Sequence, residues 1–166
     1  MFIADGGQVS GLARSIGPGW WVGKLRMLPG LERRLQVSAG RVSTLLRVSS
    51  TALQQVTEAH TQMLPHLAAM TSENMRLAIA TVSSLRLRDP PERVASCLLR
   101  QAVSGPGWNN SIPIRQAGLA SIACISRRRV ISALHEPEEI GAVSRPTLVI
   151  NLVPELLLQR TDARSY

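Results

Sequence analysis

Three consecutive arginines, Arg127, Arg128 and Arg129, follow Ser126 and precede Ser132, and Arg115 and Gln116 lie a short way upstream. A guanidinium presents a planar fork of donors that suits phosphate oxygens and the O6/N7 edge of guanine, so this cluster is equipped for recognition of a polyanion. The bond-breaking residue types do not gather in the same way. Cys97 and Cys124 stand alone, 27 positions apart and with no CxxC, which fits a reduced compartment. His60, His66 and His135 lack the spacing of a metal site and read as ordinary surface or partly buried histidines. There is no recognisable Ser/His/Asp arrangement and no phosphate-cradling Gly loop followed by Lys. Glu138 and Glu139 are adjacent in sequence and read as a solvated helix end. No enzyme, metal or other cofactor is expected.

Composition agrees with this in a limited way. The 166 residues carry a net charge of +8, with a pI near 11.3, which suits a polyanionic partner. Of the 19 basic residues all but Lys24 are Arg. The coding bias of a GC-rich genome produces the same excess, so charge alone is modest support. No apolar run approaches the roughly 18 residues of a membrane span, and a soluble, cytoplasmic protein is expected.

The elements that position the arginines lie between Ile112 and Ser144. Leu119, Ala120 and Ile122 recur at helical spacing within Arg115 to Ala123, and Val130, Ala133 and Leu134 share one face of a second segment opened by Ser126, a good N-cap. A break at Cys124-Ile125 separates them, giving a helix-turn-helix pattern with a recognition helix over about 126–136. An Arg-rich amphipathic helix is more often simply a solvated face, so the pattern by itself leaves both readings open. Two short β-prone runs pinched at Arg145-Pro146 follow Gly141, as a small hairpin would.

The segment from Ile112 to Gly141 resembles the C-terminal domain of the Crp/Fnr (cyclic-AMP receptor/fumarate-nitrate regulator) family of bacterial transcription regulators. The match runs without gaps through Ile112, Pro113, Gln116, Leu119, Ala120, Ala123, Ser126, Arg127, Val130, Leu134, Glu136, Glu138, Glu139 and Gly141. An earlier stretch, Gly17 to Leu53, resembles the end of the family's β-roll effector domain, with Gly19, Trp21, Val22-Gly23, Leu25 and Leu28, and with Leu45 to Val48 as its last strand. The resemblance therefore implies a chain that begins midway through the roll; a missed upstream start would explain this equally well. Half a roll has open edges and an incomplete core.

Between these parts, Ala68, Thr71, Met75, Ala78, Val82 and Leu85 recur at alternating steps of three and four within a segment from about His66 to Leu87. That is a heptad-like seam, which a core-facing helix of a monomer would also show. In the family this helix pairs with its copy, and the resemblance favours a homodimer. Asp89-Pro90-Pro91 ends it and forms a hinge. The expected class is α+β: a partial β-roll remnant, like a cyclic-nucleotide-binding domain, over 1–60; the dimerisation helix and hinge over 61–89; and a winged helix-turn-helix over 90–166.

The resemblance implies a regulator that binds a palindromic operator in double-stranded DNA through Arg115, Gln116, Ser126, Arg127, Arg128, Arg129 and Ser132, with RNA polymerase as a further partner. Arg33 matches the arginine that meets the cyclic phosphate in nucleotide-binding members. Lys24 stands where they carry the ribose-binding Glu, and Arg34 where they carry a small hydroxyl residue. Cyclic AMP is therefore not expected to bind. Cys124 occupies a turn position that favours Gly, Ala117-Gly118 replaces an acidic pair, Ser132 replaces an Arg, and Ala142 follows Gly141 where an apolar residue is usual. Pro137 replaces a Leu and is expected to end or kink the second helix. Two alternatives remain: a truncated partner that heterodimerises with a full-length relative and blocks its DNA binding, or a non-functional fragment.

Overall fold

The computed structural model describes residues 2–5, 12–23, 35–40, 42–103, 110–146 and 149–159. Lys24, Leu25, Leu28, Arg33 and Arg34 lie outside the described residues, so the expectations placed on them do too.

Asp89-Pro90-Pro91 starts a helix as well as stopping one. Pro lacks an N–H that a first helical turn does not need, and α3 (Pro90–Val103) opens on both prolines. The Asp89 carboxylate accepts from the Glu92 N–H at 3.4 Å. Val94, Ala95, Leu98 and Leu99 on α3 enter a continuous core with Ile112, Ile114, Leu119, Ile122, Val130, Leu134, Val143, Ile150, Leu152 and Leu157. These side chains come from β4 (Ser111–Ile112), α4 (Gln116–Ala123), α5 (Arg127–Glu139), β5 (Val143–Ser144), β6 (Ile150–Leu152) and α6 (Pro154–Leu158), and from the links between them. The strands form an antiparallel sheet in the order β4-β6-β5, with Ser111 opposite Asn151 and Val143 opposite Leu152. Asn151 ties all three strands together. Its side-chain oxygen accepts from the Ser111 hydroxyl at 2.7 Å, and its amide donates to the Ser144 hydroxyl at 3.4 Å.

The N-terminal part is built differently. β1 (Phe2–Asp5), β2 (Leu12–Ser15) and β3 (Leu35–Ser38) form an antiparallel sheet in the order β2-β1-β3. The strand expected over Leu45 to Val48 is absent: that stretch has no regular structure, and Leu46 is 96% exposed. β propensity yields a strand only where a neighbour supplies ladder partners, and among the described residues none lies beside this stretch. Helix α1 (Ser50–Ala59) follows, capped by the Ser49 hydroxyl accepting from the Ala52 N–H at 3.0 Å. After a break at 60–62, α2 (Met63–Leu85) runs for 23 residues with Pro65 in its first turn. No described helix is long and apolar enough to cross a membrane.

Helix α2 turns Leu67, Leu77 and Ser84 inward. The heptad-like seam faces outward: Ala68, Thr71 and Ala78 are exposed and Leu85 is half-buried, while Met75 and Val82 are 62% and 63% exposed. It is therefore not an internal core face of the monomer. Two arginines tie the end of α2 to α3. Arg93 donates to the Leu87 carbonyl from Nε at 3.0 Å and also from Nη2. Arg100, itself buried, donates to the Ser96 hydroxyl on its own helix at 2.7 Å and to the Ser84 hydroxyl on α2 at 2.5 Å. Strand β2 reaches the same junction. Arg14 stacks on Trp20 at 4.5 Å and lines a cavity of about 10 Å³ with Thr81, Cys97 and Gln101. Burial there, reinforced by Arg100, pulls the Arg14 guanidinium down to about 10 despite the opposing pull of Glu73.

Candidate nucleic-acid interface

The local sequence determines how the arginine cluster is held. Helix α4 ends at Cys124, which adopts a left-handed conformation with φ 51° and ψ 43°. The Ile125 N–H reaches back to the Ala120 carbonyl at 3.1 Å and the Cys124 N–H to Ser121 at 3.2 Å. This pair of bonds closes a helix and redirects the chain sharply. Ile125 packs against the core at the bend. The Ser126 hydroxyl then accepts from the Arg129 N–H at 3.3 Å and starts α5. Ala120 is small and buried where the helices meet, while Leu119, Val130 and Leu134 are fully buried. Burying each of the larger three contributes about 1.5–3 kcal/mol, which makes the angle between the helices a packing consequence.

Burial of Val130, Ala133 and Leu134 turns the opposite face of α5 to solvent. Arg127, Arg128, Arg129 and Ser132 are all exposed, with Arg128 and Ser132 one helical turn apart on the outermost line. No acidic residue occupies the first turn of α5. The partial positive charge of the helix start therefore adds to three guanidinium charges, and the end of α5 nearest the turn favours an anion. Arg115 is the exposed N-cap of α4. Gln116, half-buried beside it, accepts a hydrogen bond from Arg127 Nε at 3.3 Å. All seven residues singled out from sequence thus lie at the starts of two adjacent helices or along α5. Arg33 falls outside the described residues.

Two expectations for this region need correction. Pro137 does not end α5 early: the helix continues to Glu139, with Ile140 as its C-cap. Pro137 sits in the last turn, where the missing N–H costs one bond near the helix end instead of breaking an interior ladder. Gly141, at φ +71°, supplies the left-handed step that leads into β5. Glu138 is not a freely solvated acid. It is paired through both carboxylate oxygens with Arg145, just beyond β5, with each side chain about a quarter exposed. This fork fastens the start of the hairpin to the end of α5, a link with no local sequence signal because it depends on the chain folding back. Glu139 remains exposed and lies 3.5 Å from His135.

No family model matches the sequence, and no curated protein matches it. Solved structures do. The fold is similar to that of FixK2 from Bradyrhizobium japonicum, with TM-score 0.57 and 19% identity over 69% of this chain and 59% of FixK2. OCPA-complexed CprK matches at TM-score 0.47 and 14% identity, over 63% of this chain and 50% of that one. The Thermus thermophilus catabolite activator protein matches at TM-score 0.43 and 24% identity, over 95% and 74%. This chain spans about three fifths of the length of FixK2. At 19% identity the likeness to FixK2 is one of fold, helices with small antiparallel sheets.

Proposed function

We propose that this protein is a sequence-specific, DNA-binding transcription regulator of the Crp/Fnr type, acting in the cytoplasm and not an enzyme. On this reading residues 90–166 are a winged helix-turn-helix, with α5 as the recognition helix and the β5–β6 hairpin as the wing. Residues 61–89 provide the dimerisation helix, and 1–60 belong to a β-roll effector-like domain. The observation that carries the proposal is the Ser126-capped start of α5, set by the left-handed Cys124 turn, which presents Arg127, Arg128, Arg129 and Ser132 to solvent on a closed core.

Arg127 lies in the first turn of α5, the part of a recognition helix that enters the major groove. Its fork can donate two bonds to one guanine. Arg128 and Ser132 follow along the groove, Arg115 and Arg129 lie where phosphates pass, and Gln116 sits beside Arg127. The exposed α2 seam pairs two copies, so the operator is a palindrome with half-sites about one helical turn apart. The same exposed seam favours one second reading, a heterodimer with a longer relative whose DNA binding is thereby blocked.

Selection from a random-sequence DNA pool tests the proposal. A palindromic motif should emerge, and Arg127→Ala should cost ~1–3 kcal/mol and relax preference at one base pair in each half-site. Loss of a phosphate-contacting Arg should weaken all sequences alike and make the salt dependence shallower. Recovery of no motif, or of one that Arg127→Ala leaves unchanged, would refute the assignment and leave the heterodimer as the better account.

A further inference from the structure

The arginines at the start of α5 are not equivalent. The Arg127 side chain is tied, through Nε, to the Gln116 side-chain oxygen at 3.3 Å. Among the described residues no comparable bond holds the side chains of Arg128 or Arg129, which are exposed on the same turn. Both ends of the tie are well anchored. Gln116 is the first residue of α4 and Arg127 the first residue of α5, and the two helices share a core through Leu119 and Val130.

The chemistry of the pair restricts how it is oriented. A guanidinium only donates, so the Gln116 amide must present its oxygen to Arg127, which turns its NH₂ away. With Nε–H engaged, the donors left free on Arg127 are those on Nη1 and Nη2. Those two nitrogens form the end-on fork, whose spacing matches the O6 and N7 acceptors of guanine. An exposed arginine would otherwise lose much of its rotamer freedom on docking, and holding it beforehand reduces that loss.

We propose that Gln116 is a positioning residue for base recognition. It aims the Arg127 fork and thereby sets the preference for guanine at one base pair of each half-site, without itself reading a base. This rests on the DNA-binding reading above, and it separates Arg127 from Arg128 and Arg129, whose side chains are not held in this way.

The test uses the full chain with Gln116→Leu, Gln116→Glu, Arg127→Ala and the Gln116→Leu/Arg127→Ala double variant. The quantity read is the ratio of affinities for duplexes carrying guanine or adenine at the base pair that Arg127→Ala relaxes. Affinity for a random duplex and the melting temperature are measured beside it. Gln116→Leu should lower the ratio about fivefold, part of what a bidentate contact supplies, with melting temperature unchanged. Gln116→Glu keeps the acceptor and should hold the ratio, while its charge weakens binding to every duplex. In the Arg127→Ala background Gln116→Leu should leave the ratio where it was, because the two act through one contact. An unchanged ratio in Gln116→Leu, equal weakening on all duplexes, or an effect that persists without Arg127 would overturn the positioning role. A wild-type chain that prefers no sequence would instead overturn the DNA-binding reading itself.

Discussion

Residues 94–157 and residues 42–89 solve the burial problem in opposite ways. In the first region, three helices, a short sheet and a terminal helical turn enclose one continuous apolar cluster, whose members all lie between Val94 and Leu157. In the second, a long helix and the stretch before it leave Val42, Leu45, Leu46, Val48, Leu64, Met75, Ile79 and Val82 exposed. Lone surface apolar residues are unremarkable, but a row of them along one helix at heptad-like spacing is a surface that another chain can cover. The contrast locates two kinds of work. On the proposed function, the C-terminal region carries the recognition surface on its own core, and the exposed α2 seam is where a second chain would dock.

The largest effect should come from breaking the contrast on its open side. Met75→Glu with Val82→Glu places charges on the α2 seam. Burying each of the native side chains is worth roughly 1.5–3 kcal/mol, and in a symmetric pair each substitution counts twice. Sedimentation should show the wild-type chain as a dimer and the double variant as a monomer. Binding to a palindromic operator should fall steeply, while the fold of each chain stays intact by circular dichroism. A variant that remains dimeric would place the interface elsewhere.

Breaking the contrast on its closed side should cost less in assembly and more in local stability. Leu134 is fully buried within the cluster. Leu134→Ala should destabilise residues 90–159 by ~2–5 kcal/mol, from lost transfer energy and the cavity left behind. Denaturant unfolding followed at the C-terminal region should show this as a lower midpoint, with dimer formation retained. Loss of the dimer together with the core would mean that the two regions unfold as one unit.

What could be read in the sequence follows the same division. The helical period around Leu119 and Val130, the Ser126 cap and the proline hinge are local signals, and each corresponds to an element. The strand expected at Leu45 to Val48 failed because ladder pairing is not a property of four residues. Pro137 is compatible with helix because it lies one turn from the end, a boundary that periodicity places poorly. The contacts that lock the region together (Glu138 with Arg145, Ser84 with Arg100, Gln116 with Arg127) join residues whose nearness depends on tertiary structure. Arg100 shows this most clearly, since its residue type predicts exposure, and hydroxyls on two helices make its burial tolerable.

The smallest predicted effect isolates the turn between α4 and α5. Cys124 is exposed, so it contributes little to the core, and its φ of 51° places its Cβ close to a backbone carbonyl. Gly would remove that strain but would widen the unfolded ensemble, so the net gain is a fraction of the full strain. The thiol contact with the Ser121 carbonyl, at 3.6 Å, is weak and offsets little of it. Cys124→Gly should therefore stabilise the C-terminal region by ~1 kcal/mol, raising its melting temperature by roughly 4–8 °C for a unit of this size. Dimer affinity should not change, since the turn is remote from the α2 seam in sequence and lies on the closed side of the contrast. A melting temperature that stays level would show that the cysteine side chain contributes packing at the bend equal to the strain it carries. One that falls would show that the left-handed turn depends on that side chain, and the orientation of Arg127 would then depend on it as well.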